Sequence, residues 1–240
     1  VVALAAGVFA LFGGLFLVTQ LLQFSFGFSA LEAGLLMLPT SVGLIAGAAL
    51  SRVVGARAGT RVPAAGGLVG VAAGMAAVAL SARPGGTYLD QLPGLVLIGA
   101  GTGLFLPACT SAVLATLPPR QAGVGSAVNS TAQQVGGAVG VAVLGSVLAA
   151  RYRHAMGVAL AAHSLPASAR TVVLGSVGGA LGVAAGVGGD TGDQLAAAAR
   201  AAFLSGYRSS ALVGAAVTVA AGVLVLLAYP TRTGPCGAER

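Results

Sequence analysis

Seven stretches of this chain run from one charged residue to the next without interruption: Val1–Leu31, Ala33–Ser51, Val62–Ala82, Gln91–Pro119, Gln121–Ala150, Thr171–Gly189 and Ser209–Thr231. A helix needs about 20 predominantly apolar residues to cross the ~30 Å hydrocarbon core of a bilayer. Five of the seven stretches exceed that length. The chain therefore reads as an integral, all-α membrane protein whose partner is the lipid bilayer.

The residue content leads to the same place. With 57% hydrophobic and 7% charged residues over 240 positions, too little polar surface remains to coat a soluble globule. A soluble enzyme is excluded. The 12 basic residues are all arginine and give a net charge of +7. They are scattered near span ends with no basic patch or aromatic interleaving, so they point to membrane topology and not to nucleic acid. Cys109 lies in an apolar run and Cys236 in the tail. They suggest neither a disulfide nor a metal site, and no cofactor is expected. The opening on Val1 within apolar sequence reads as a fragment of something longer.

Spans are expected at about 1–23, 33–52, 62–80, 92–115, 123–148 and 209–229, making a six-helix bundle with a tail at 230–240. Phe24–Glu32 reads as a connection, Pro39 as a kink inside the second span, and Arg52, Arg57 and Arg61 as a short basic loop. Thr171–Gly189 is 7 parts glycine in 19, and glycine is a poor helix former that adds no apolar area. It is therefore placed outside the membrane, within a long extracytoplasmic loop at 151–208 made of short amphipathic pieces. His154 and His163 fall in that loop and read as solvated. The arginines at 52–61, Arg120, Arg232 and Arg240 put both ends in the cytoplasm by the positive-inside rule.

Small residues recur at four-residue spacing: Gly43 and Gly47, Gly99 and Gly103, Gly136 and Gly140. Such pairs let helices approach closely in lipid, where apolar side chains alone give no net drive to associate. No charge sits at mid-span. Uncharged polar groups do, chiefly Gln20 in the first span, Thr102 and Thr110 in the fourth, and Asn129 and Gln133 in the fifth. At ~1.5 Å per residue from Gly123, Asn129 lies ~9 Å and Gln133 ~15 Å into the membrane, on one helix face. A buried amide without a partner is costly, so these groups must face protein or a wet cavity. Helix-to-helix hydrogen bonding and a substrate-facing role both satisfy that requirement.

Three stretches carry a family resemblance. These are Gln23 through Gly34 running to Leu38-Pro39, Ala122 through Asn129 followed by Gln134–Ala142 and Leu144-Gly145-Ser146, and Ala202-Phe203 with Gly206 before a last helix closing on Pro230. Together they resemble the C-terminal half of fourteen-helix drug:proton antiporters of the major facilitator superfamily. The resemblance implies half of that fold, in the cell membrane, working with a missing N-terminal half. It implies secondary active efflux of hydrophobic or amphiphilic drugs by alternating access, in exchange for protons. Gln20, Thr102 and Thr110 would then contact substrate, with Asn129 and Gln133 beside them. Arg57-Ala58-Gly59-Thr60-Arg61 matches the family's cytoplasmic motif except that Ala56 replaces its acid, and Arg57, Gly59 and Arg61 would form a gating loop. Ser130 and Gln133 stand where relatives often carry Asp and Arg. A uniporter or other-solute transporter of the same fold, and a non-transporting scaffold, are the alternatives.

Overall fold

The computed structural model describes residues 1–115, 118–160 and 166–228. Among these, six helical segments are long and apolar enough to cross a membrane. They are α1 (Val2–Gln20) with a π-helical turn at Leu21–Ser25, α2 (Ala30–Leu36) with α3 (Leu38–Ala58), α4 (Arg61–Ser81), α5 (Tyr88–Ala115), α6 (Ala122–Ala159) and α9 (Gly189–Ala228). Two short helices, α7 (Ala167–Gly175) and α8 (Val177–Val187), precede α9. Helix is the form lipid permits, because every backbone N–H and C=O must be satisfied within the segment. His163 and the tail with Pro230, Arg232, Cys236 and Arg240 lie outside the described residues.

Several expected boundaries move. The basic loop shrinks to Gly59 and Thr60, because α3 continues through Arg52 and Arg57 to Ala58 and α4 starts at Arg61. Arginine is a good helix former, so a charge can end the apolar run without ending the helix. Gly59, at φ +73°, supplies the left-handed turn between the two. Pro39 does not kink a continuous helix; the chain breaks at Met37 and Pro39 occupies the first turn of α3, where no N–H is needed. The connection at 24–32 is shorter, since the π turn reaches Ser25 and α2 begins at Ala30. Residues 151–208 are largely helical: α6 extends to Ala159 and α9 starts at Gly189, well before the apolar run at Ser209. The Ala-rich stretch at 196–202 favours that extension.

Close approaches between helices fix their directions. Gly136 meets Ala5, Gly140 meets Phe9 and Gly145 meets Phe16, so α1 and α6 run parallel. Gly99 meets Thr40 and Gly103 meets Leu44, so α3 and α5 are also parallel. Gly67 against Phe105 and Gly74 against Ile98 make α4 and α5 antiparallel, and Gly206 against Leu148 with Gly214 against Leu144 does the same for α6 and α9. Direction therefore alternates along the six long segments, as successive crossings require.

This alternation sorts the charges onto two faces. One carries Arg52, Arg57, Arg61 and Arg120 and none of the described carboxylates. The other carries Glu32, Asp90, Asp190 and Asp193, with Arg83, Arg151, Arg153, Arg170, Arg200 and Arg208. The core lies where α1, α4, α6 and α9 meet, with Met75 against Gly14 and Gly214 and Leu144 against Gly13. A smaller apolar cluster of Val18, Leu22, Ala33 and Leu95 gathers near the second face.

Candidate functional site

The glycine pairs allow backbone to meet backbone. A Cβ on Gly43 would fall 2.5 Å from the carbonyl oxygen of Val96, and one on Gly47 would overlap that of Ala100. Reciprocally, Gly99 and Gly103 abut the carbonyls of Thr40 and Leu44, while Gly136 and Gly140 abut those of Ala5 and Phe9. Dispersion contacts, small singly and large in sum, are what such approaches gain in a solvent as apolar as the side chains themselves.

The polar candidates do not converge on one point. Gln20, half-buried, lines a chamber of about 170 Å³ with Phe16, Leu148, Tyr152, Val177 and Phe203. Ala149 of α6 lines the same chamber, and Asn129 lies 20 residues earlier in α6, about 30 Å along a helix axis. Gln133 and Thr110 are half-buried. Asn129 is 8% exposed, and its Oδ1 has no hydrogen-bond partner. Thr102 is fully buried, and its hydroxyl donates to the Ile98 carbonyl at 2.7 Å. A threonine inside an apolar helix can satisfy its hydroxyl one turn back in this way.

Of the basic motif, Arg57 is exposed, whereas Arg61 reaches across and donates from Nη2 to the carbonyl of Leu226 near the C-terminus of α9. A cation there meets both a free carbonyl and the negative end of the helix dipole.

Tyr152 escaped the sequence reading. Its hydroxyl donates to the carbonyls of Val173 at 2.8 Å and Ser176 at 3.3 Å, pinning the junction of α7 and α8 over the chamber. The available signal was a lone aromatic between Arg151 and Arg153, beyond the end of an apolar run. Phe24, in the π turn of α1, lies against Gly178 of α8 and ties the same junction to α1.

On α6, Ser130, Thr131 and Gln134 are uncovered. Together with α2–α3, α6 is the least enclosed of the six segments.

Comparison with known proteins gives this arrangement a family. Residues 1–141 match the model of the Major Facilitator Superfamily. The chain is 34% identical over 92% of its length to the multidrug efflux pump LfrA of Mycolicibacterium smegmatis, covering 43% of that protein. It is 34% identical over 60% of its length to the tetracenomycin C resistance and export protein of Streptomyces glaucescens, covering 26% of it. It is 38% identical over 52% of its length to a probable actinorhodin transporter of Streptomyces coelicolor, covering 22%. The chain thus spans less than half the length of these relatives. A family match across more than half of the residues, on a bundle of six membrane-competent helices, means that the chain belongs to the Major Facilitator Superfamily.

Proposed function

We propose that this chain forms the C-terminal six-helix half of a fourteen-helix secondary transporter that exports hydrophobic or amphiphilic small molecules, antibiotics among them, by alternating access in exchange for protons. The observation that carries this reading is the uncovered polar edge of α6. Ser130, Thr131 and Gln134 lie within an apolar span, where an amide facing lipid costs about 1–3 kcal/mol or more, so this edge needs a protein partner or a wet cavity. An N-terminal half of the same protein would supply both, and the greater length of the relatives leaves room for it. The printed names of those relatives supply the substrate class.

Gln20, Thr110, Asn129 and Gln133 are the groups proposed to border the translocation path, at different depths along it. Arg57, Gly59 and Arg61 form the proposed gating turn. The face bearing that turn is assigned to the cytoplasm because it holds arginines without described carboxylates. Residues 151–208 would then lie on the outer side of the cell membrane, with the first stretch of α9 projecting there.

One observation favours a second reading, a uniporter of the same fold. All four described carboxylates, Glu32, Asp90, Asp190 and Asp193, sit at the outer face, so the described residues place no titratable acid at mid-span. Proton exchange would draw its acid from the other half. The test is dye accumulation in inverted vesicles carrying this chain co-expressed with an N-terminal half from a relative. Uptake that collapses with the proton gradient supports exchange, gradient-independent flux supports uniport, and no flux under either condition contradicts transport.

A further inference from the structure

The turn between α4 and α5 and the early part of α9 enclose two adjoining hollows of about 300 and 360 Å³ that share Pro84, Ala201 and Leu204. Arg83 and Arg200 line the first and Arg208 the second. Among the described residues one carboxylate opposes them within salt-bridge range: Asp90, 3.6 Å from Arg83. The side chain of Arg83 is 64% exposed even so, and Arg200 is exposed.

The groove sits at the edge of the bilayer by two independent markers. Arg83 is the first charge after the apolar run ending at Ala82, and Arg208 is the last before the run starting at Ser209. Arg208 also spends its Nε–H on the Ala82 carbonyl, which holds the two markers at one level and leaves the terminal amino groups of its guanidinium for another partner. Within the apolar runs, three residues before Arg83 on α4 and four after Arg208 on α9, Leu80 is 74% exposed and Leu212 49%. The same pair of helices thus carries the cationic hollows and, one turn into the apolar runs, uncovered aliphatic side chains.

We propose that this groove seats the phosphodiester headgroup of an anionic phospholipid, with its acyl chains running down over Leu80 and Leu212. Guanidinium groups match phosphate oxygens in charge and in fork geometry. Three of them against one carboxylate leave a net positive charge for an anion to neutralise. Free inorganic phosphate would use the arginines alone; the aliphatic flank is what selects a lipid. The assignment does not depend on what the transporter carries or on its coupling ion.

The test uses the full chain purified in a zwitterionic detergent, supplied with phosphatidylglycerol, phosphatidylcholine or inorganic phosphate. Native mass spectrometry counts retained lipid, and the thermal midpoint reports stabilisation. Phosphatidylglycerol should be retained and should raise the midpoint, and each charge removed in Arg83→Gln with Arg200→Gln should weaken retention by about fivefold. The Arg83→Lys, Arg200→Lys pair, which keeps both charges, should hold most of it and so separates lost binding from lost folding. Equal retention of phosphatidylcholine, undiminished phosphatidylglycerol in the Gln pair, or an equal midpoint rise with inorganic phosphate would each overturn the proposal.

Discussion

Arg208 of α9 donates from Nε to the carbonyl oxygen of Ala82 at 2.6 Å, closing the C-terminal end of α4. At the other end of the same pair, Arg61 of α4 donates to Leu226 near the end of α9. Each helix thus contributes an arginine to a carbonyl near the C-terminal end of its antiparallel neighbour. The two contacts are separated by the 21 residues of α4, about 31 Å, which is the thickness of the hydrocarbon core.

Removing either arginine leaves a helix end without its charged donor. Arg61→Ala and Arg208→Ala should each destabilise the bundle by about 1.5–3 kcal/mol, the usual worth of a hydrogen bond to a charged group. The sites are far apart and share no partner, so the double variant should show the sum to within about 0.5 kcal/mol. Thermal unfolding in detergent measures this, and a double variant no worse than either single one would contradict the two-ended clamp.

Glycine replacements should separate into two groups. At Gly47 and Gly103 an added methyl group meets partner backbone, which cannot swing aside, so Gly47→Ala and Gly103→Ala should abolish a monodisperse folded species on size exclusion. At Gly55 in α3 and Gly182 in α8 nothing lies within 4 Å of the added atom. There alanine should be neutral or stabilise by up to about 1 kcal/mol through helix propensity.

Tyr152→Phe keeps the ring and deletes the hydroxyl, leaving the carbonyls of Val173 and Ser176 without that donor. Loosening of the α7–α8 junction by about 1–3 kcal/mol should follow. It would be read as faster hydrogen exchange confined to 167–187, with α4 and α5 unchanged. Uniform acceleration across the chain would mean that Tyr152 supports the fold as a whole.

Ser29 caps the start of α2: its hydroxyl accepts from the backbone N–H of Glu32, and the Glu32 carboxylate accepts from the backbone N–H of Ser29 at 2.8 Å. Ser29→Ala removes one half of that exchange and should cost about 1 kcal/mol. Thermal unfolding in detergent measures it, and an unchanged midpoint would show that the cap is not coupled to folding.

What the sequence made legible was whatever the bilayer dictates: the all-helical class, the number of membrane-competent segments and the need for close glycine contacts. Helix ends were hidden wherever a charge interrupts an apolar run without interrupting the helix, as at Arg57 and through 189–208. Side-chain partners were hidden more deeply. Composition cannot reveal that the Thr102 hydroxyl turns back to Ile98. The chamber beside Gln20 joins α1 to Phe203, and no local pattern brings those positions together. The contact of Arg61 with α9 was hidden too, because no local pattern brings positions 61 and 226 together.

The central claim is that the chain crosses the bilayer six times, with the α3–α4 turn and the α7–α8 helices on opposite sides. Single cysteines introduced by Ala56→Cys and by Gly182→Cys, in a background with Cys109→Ser and Cys236→Ser, can be labelled in intact cells with a membrane-impermeant maleimide. Both introduced positions are exposed in the fold. Labelling at 182 from outside, with 56 reacting only after permeabilisation, is the predicted result, and reaction of both from the same side would contradict it.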